Sequence, residues 1–134
     1  MTEFRWTAIV TIVALLVYIW MGLQVASARG KSGIEAPAMT GHPTLERANR
    51  VHINTLEWLP LYLAGLWLFA AAWSNDKVAA GIGAVWIVGR LLYSTGYMAD
   101  PAKRSTGFLI QAFTVLVLLL GALGKLVYGL AVGG

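Results

Sequence analysis

Four long apolar runs fill most of a chain of 134 residues: about Trp6 to Ala28, Ile53 to Trp73, Val78 to Tyr97 and Phe108 to Val132. A helix needs about 20 mostly apolar residues to cross a bilayer, and each run meets that length. Lipid offers a backbone amide no partner, so each run must satisfy its own hydrogen bonds as a helix. The expected fold class is therefore all-α, an integral membrane four-helix bundle. It forms one domain over residues 1–134, with spans at about 6–28, 45–73, 78–97 and 107–132. Composition agrees: 58% of residues are hydrophobic and 12% charged, against roughly 25% charged in a soluble domain. No length is left for a separate soluble domain.

Three polar connections join the runs. The first, Arg29 to Arg50, carries the helix interrupters Gly30, Gly33, Pro37, Gly41 and Pro43. The second is a tight turn at Ser74-Asn75-Asp76, and the third is the basic stretch Asp100-Pro101-Ala102-Lys103-Arg104. Arg29, Lys31, Arg47, Arg50, Lys103 and Arg104 fall in the first and third connections, whereas the opposite side holds Arg5 and Lys77. The positive-inside rule then places loops 29–50 and 98–106 in the cytoplasm and both termini across the membrane. Lys125 lies within the fourth span and can snorkel to the far interface. A competing reading starts from Ala26-Ser27-Ala28, a small-x-small pattern of signal-peptidase type. The run before it is long for a signal core and carries Tyr18 and Trp20 near its end.

The formal charge of +4 comes with no basic block interleaved with aromatics, so nucleic acid is not an expected partner. With no cysteine in the chain, any sulfur chemistry has to arrive with a ligand. His42 and His52, ten residues apart without a carboxylate cluster, are a poor metal set, and no metal is expected. Trp6, Trp20 and Trp73 at span ends read as interfacial anchors, and Trp67 and Trp86 as lipid-facing or packing residues.

The informative residues are polar ones at membrane depth. At 100° per residue, Glu46, Arg47, Arg50, Asn54 and Glu57 fall within about 100° of one another, and His52 points the other way. An ionisable group at such depth costs on the order of a few kcal/mol unless paired or wet, so the stripe must face protein or ligand. Arg90, Tyr93 and Tyr97 share a face of the third span in the same manner. Arg90 needs a partner, with Glu57 the first candidate and Glu46 the next. These groups would suffice as glue between helices. Yet Arg29, Arg47, Arg50, Arg90 and Arg104 outnumber Glu46 and Glu57 on that side, an excess suited to an anionic ligand held by guanidinium contacts.

The run Glu46-Arg47-x-x-Arg50-x-x-x-Asn54-x-x-Glu57-x-x-Pro60 is preceded by Leu23-Gln24-Val25-x-Ser27-Ala28-Arg29 and followed by Arg90-x-x-Tyr93-x-x-Gly96-Tyr97. Together these closely resemble the MAPEG family, membrane-associated proteins in eicosanoid and glutathione metabolism, over nearly the whole chain. The resemblance implies a homotrimer of four-helix protomers with glutathione at each subunit interface, near the cytoplasmic side. It implies that Arg50, Asn54, Glu57, Tyr93 and Tyr97 hold the tripeptide, with Arg29 a further basic contact. Arg90 belongs to the same candidate set. Arg104 matches the arginine that stabilises the glutathione thiolate in leukotriene-forming members and is the expected catalytic residue. His52 and Trp58 stand where those members have glutamine and tyrosine, and complete the candidate contacts. Gly30 replaces a second arginine beside Arg29, which counts against a specific leukotriene substrate.

Glutathione carries two carboxylates and one ammonium, so several arginines and one glutamate complement it. A cation near sulfur raises the thiolate fraction. The implied activity is a membrane-bound glutathione transferase, with glutathione peroxidase activity as a further expectation, acting on a lipophilic small-molecule substrate that arrives through membrane lipid. Two other readings stay open. A non-catalytic lipid-presenting protein of the same fold would lack the glutamate and the thiolate-stabilising arginine, both present here. A small transporter would show broken helices or repeated halves.

Overall fold

The structure, a computed structural model, describes residues 2–133. Within them lie four helices: α1 (Arg5–Ser32), α2 (Pro43–Trp73), α3 (Asp76–Ala99) and α4 (Ser105–Ala131). Short 3-10 turns precede α1 at Thr2–Phe4 and α4 at Pro101–Arg104. All four helices are long and apolar enough to span a membrane. The chain is an all-α integral membrane bundle in which each helix antiparallels the one before it.

The helices run past the lipid. At 1.5 Å per residue they extend roughly 36 to 46 Å, against about 30 Å of hydrocarbon. The surplus is largest where the sequence turns polar, and it shortens the first connection from the expected 29–50 to 33–42. Gly33 ends α1 in a left-handed conformation (φ 73°), its N–H bonding back to the Arg29 carbonyl. His42, extended, caps α2 by accepting from the Thr44 N–H at 3.2 Å, and the Glu46 carboxylate accepts from the Gly41 N–H at 3.1 Å. The polar stripe from Glu46 to Glu57 is thereby helical from its first residue. α1 passes unbroken through Ala26-Ser27-Ala28, and Ala28 is buried with Leu45 and Ala48 of α2. Its outer face exposes Ile12, Leu16, Ile19 and Leu23, the surface a span offers to lipid.

At the other end of the bundle, one carboxylate ties α1 to α3. Asp76 Oδ1 accepts from the Thr7 N–H at 2.7 Å and the Thr7 hydroxyl at 2.8 Å, while Oδ2 accepts from the Trp6 N–H at 3.0 Å. These are first-turn amides of α1, which have no partner within their own helix. Asn75 Oδ1 caps α3 itself through the Val78 N–H. Asp76→Ala is expected to lower the thermal unfolding midpoint in detergent with helix content unchanged at low temperature. Asp76→Asn should recover part of the loss, and an unchanged midpoint in the alanine variant would show that the clamp contributes nothing. Circular dichroism melts provide the check.

The core is aromatic at its centre. Tyr62 and Trp86 stack at 3.9 Å with their planes 7° apart, and the Tyr62 hydroxyl donates to the Gly83 carbonyl. Trp86 is thus a packing residue, and so is Trp67, whose indole N–H donates to the Thr11 hydroxyl at 3.0 Å. Trp6 and Trp73 stay about half exposed at helix ends, and the Lys125 ammonium lies 5.2 Å from the Trp73 ring. α3 and α4 approach closely at Gly89 and Gly107, where a side chain would meet the opposing backbone. Small residues permit this approach where lipid cannot drive helices together by hydrophobicity.

Candidate functional site

Where α2, α3 and α4 meet the 3-10 turn Pro101–Arg104, a cleft of about 570 Å³ opens. Arg50 and Asn54 line it from α2, Tyr93 and Tyr97 from α3, and Arg104 from the turn, with Ser105, Phe108 and Leu109 at the start of α4. Arg50 and Asn54 sit one turn apart on α2, and Tyr93 and Tyr97 one turn apart on α3, as the sequence spacing requires. The close crossing at Gly107 sets Tyr93 against α4, and the two tyrosine rings lie 5.7 Å apart. Phe108 forms the apolar side, 6.2 Å from Tyr93 and edge-on to Trp58 at 5.6 Å.

Two arginines fix the ends of the elements that build this cleft. Arg47 donates to the Met98 and Ala99 carbonyls at 3.1 and 3.4 Å, satisfying the C-terminus of α3 with a cation where the helix dipole favours one. Arg104 donates to the Pro101 carbonyl at 2.7 Å. That contact uses one of its five N–H groups and leaves the others to face a ligand.

Arg90 sits behind the cleft. It is fully buried, its Nη2 donates to Asn54 Oδ1 and Thr55 Oγ1, both at 2.9 Å, and its guanidinium carbon is 4.4 Å from the Tyr93 ring centroid. The expected partners, Glu57 and Glu46, are not the ones it finds. Glu57 is exposed on the surface of the chain, and Glu46 is engaged with Gly41. A helical wheel tells which residues share a face of α2. It does not tell how α2 is rotated toward α3, and that rotation turns Asn54 and Thr55 inward and leaves Glu57 outside. Arg50 and Arg104 line a cleft whose described lining includes no carboxylate, with Arg90 behind it. The site is built for negative charge.

The sequence model of the MAPEG family matches residues 7–124. The chain belongs to the MAPEG family. A Synechocystis protein called uncharacterized protein sll1147 is 41% identical over 129 residues, covering 96% of this chain and 93% of the relative. Human microsomal glutathione S-transferase 2 is 39% identical over 118 residues, 87% of this chain and 80% of that one. Bovine leukotriene C4 synthase is 36% identical over 122 residues, 90% and 81% of the two chains.

In this MAPEG chain the residues expected to hold a ligand separate into groups. Arg50, Asn54, Tyr93, Tyr97 and Arg104 line one cleft, and Arg90 and Trp58 support its walls. Arg29, His52 and Glu57 lie elsewhere. Arg29 belongs to a second, open cleft of about 700 Å³ with Gly22, Val25, Ile34 and Glu35, and donates to the Ala38 carbonyl at 2.6 Å. His52 stacks on Tyr18 at 4.5 Å, beside Gly22 of α1. Sequence reasoning missed Ser105, Phe108 and Leu109 in the cleft and Thr55 behind it. The one signal for the α4 residues was position: they follow Arg104 directly, so a cleft opening at Arg104 inherits them.

Proposed function

We propose that this chain is a glutathione transferase of the membrane, binding glutathione in the cleft between α2, α3 and α4. The carrying observation is the pairing, in one cleft, of Arg50 and Arg104 with Asn54, Tyr93 and Tyr97, next to the apolar Phe108 and Leu109. Arg50, the tyrosines and Asn54 suit the carboxylates and amides of the tripeptide, and Arg104 the sulfur. The chemistry follows from charge. A guanidinium beside sulfur favours the thiolate, the thiol proton passes to water, and the sulfur attacks an electrophilic carbon as the leaving group departs with the bonding electrons. Lipophilic electrophiles, concentrated in the bilayer, approach on the side of Phe108 and Leu109. With a lipid hydroperoxide the same thiolate attacks the peroxide oxygen, and a second glutathione completes reduction to alcohol, water and disulfide.

Arg29, His52 and Glu57 bear on the same site only through other copies of the chain or through rearrangement. We read them as contributions across subunit contacts of a homotrimer, in which head-to-tail packing places one face of a protomer against a different face of the next. Glu57 there supplies the negative charge for the glutathione ammonium. Charge asymmetry supports a cytoplasmic position for loops 29–50 and 98–106, with the termini opposite.

Purified protein in detergent is expected to conjugate glutathione to an activated aryl halide. Glutathione binding without turnover, across aryl halides and lipid hydroperoxides, would favour a lipid-presenting role. An absence of glutathione binding would overturn the proposal.

A further inference from the structure

We propose that Arg90 is a positioning residue that fixes the polarity of Asn54, so that Asn54 turns its amide N–H groups, rather than its oxygen, toward whatever occupies the cleft. The inference rests on the reading of the cleft as a glutathione site and sharpens it. The part of the ligand that meets Asn54 must be an acceptor, a carboxylate or a peptide carbonyl.

An asparagine alone in a cleft presents either end of its amide, and the two ends are chemically opposite. Arg90 removes the choice. Its Nη2 is 2.9 Å from the Asn54 side chain, and a guanidinium has only donors. Whichever way the amide is drawn, the atom facing Arg90 has to be the oxygen. Arg90 is itself held in place. The same Nη2 donates to the Thr55 hydroxyl, whose one proton goes to the Val51 carbonyl at 2.8 Å, with the Met21 sulfur at 3.1 Å as the alternative acceptor, so it faces Arg90 with a lone pair. The ring of Tyr93 covers the guanidinium at 4.4 Å, an attraction strengthened by exclusion of water. The side chain is fully buried and pinned from α2 and α3 together.

With the oxygen of Asn54 committed inward, Asn54, Arg50 and Arg104 present donors only, and Arg90 adds its charge from behind. Among the described lining side chains an ammonium finds as acceptors only the hydroxyl oxygens of Tyr93, Tyr97 and Ser105. The ammonium of a bound peptide is therefore directed away from Asn54, and a carboxylate or carbonyl toward it. Arg90 also touches Tyr93, so one buried cation orients two cleft residues on two helices.

The test is a mutant cycle on glutathione affinity, measured by calorimetry on the intact protein in nanodiscs, for wild type, Asn54→Ala, Arg90→Met and the double variant. Each single change is expected to weaken binding about 10-fold, the scale of one lost hydrogen bond to a well-placed acceptor. The double variant should be no weaker than Arg90→Met alone, because what Asn54 offers the ligand depends on Arg90, whatever Arg90 adds through Tyr93 and its charge. Multiplying effects in the double variant would overturn the inference while leaving the glutathione site intact. Should Arg90→Met fail to fold, Asn54→Asp decides. It keeps the Arg90 contact but turns a carboxylate oxygen toward the ligand's acceptor, and should bind glutathione at least about 3-fold more weakly than Asn54→Ala. Equal or tighter binding by the aspartate variant would overturn the inference. Wild-type protein that fails to bind glutathione would instead sink the reading of the cleft, and this assignment with it.

Discussion

Arg104→Ala is expected to slow glutathione conjugation by about 10- to 100-fold at neutral pH, with the deficit shrinking as pH rises. A free thiol with a pKa near 8.5 is about 3% thiolate at pH 7, and a cation that lowered it by about two units would bring that to roughly 75%. Population alone would then account for about 25-fold, but a less basic thiolate is a poorer nucleophile, and a Brønsted slope near 0.45 returns about 8-fold of that. Ionisation therefore leaves only about a 3-fold net gain at neutral pH. The remainder has to come from holding the sulfur in place by guanidinium N–H groups aimed at it, and losing one such donor costs about 10²-fold or more where the site is fully preorganised. Arg104 is exposed and anchored by a single contact to Pro101, which argues for the lower part of that range. The sign is definite: without the cation the thiol pKa rises, so activity of the variant climbs through a higher pH window than that of wild type. Affinity for glutathione should change by no more than a few-fold, since Arg50, Asn54, Tyr93 and Tyr97 remain. The measurement is kcat and KM from pH 6 to 9, with the ultraviolet thiolate absorbance of the bound complex. A rate deficit that stays constant across pH, with unchanged absorbance, would remove Arg104 from thiolate stabilisation.

The number of helices was legible because the bilayer imposes a minimum length and the chain has four runs that meet it. The helix ends were harder. Polar residues up to Arg50 look like a connection by hydropathy although the helical stripe starts at Glu46, and the His42 cap and the Glu46 carboxylate hold α2 helical from Pro43. Within the site, spacing along one helix was enough to group Arg50 with Asn54 and Tyr93 with Tyr97. It could not give the pairing between helices. Arg90 was expected to find a carboxylate on electrostatic grounds, and it finds the amide and hydroxyl of Asn54 and Thr55, with a tyrosine face in place of the counter-charge. The glue reading and the ligand reading of the polar stripe prove compatible, because Arg90 and Arg47 tie helices together while Arg50 and Arg104 line the cleft. α4 gave no sign of its part in the site beyond following Arg104 directly: Phe108 and Leu109 are ordinary members of an apolar run until the crossing with α3 turns them toward the tyrosines.

That crossing sets the second large effect. Gly107→Ala is expected to destabilise the protein and weaken glutathione binding together, and Gly107→Val to prevent accumulation of folded protein. A Cβ at position 107 would collide with the Tyr93 backbone nitrogen and lie 2.6 Å from the Tyr93 Cα and 2.7 Å from the Gly89 carbonyl oxygen. All three are backbone atoms of α3, and no rotamer change relieves them. The helices must part, at a cost of about 1–3 kcal/mol for one inserted methyl and more for a branched side chain. The displacement falls on the cleft, because Tyr93 lies on one side of the contact and Arg104 and Phe108 flank Gly107 on the other. A loss of affinity of about 10-fold is expected for the alanine variant even where it folds, from misplacing one such contact. Gly124→Ala is the matched control. It is the same substitution on the same helix, but nothing lies within 4 Å of its Cβ, and alanine is the better helix former by about 1 kcal/mol. Its unfolding midpoint should equal or exceed that of wild type, with unchanged glutathione affinity. If both alanine variants melt and bind alike, α3 and α4 are not in backbone contact at Gly107, and the geometry that turns Tyr93 into the cleft is wrong.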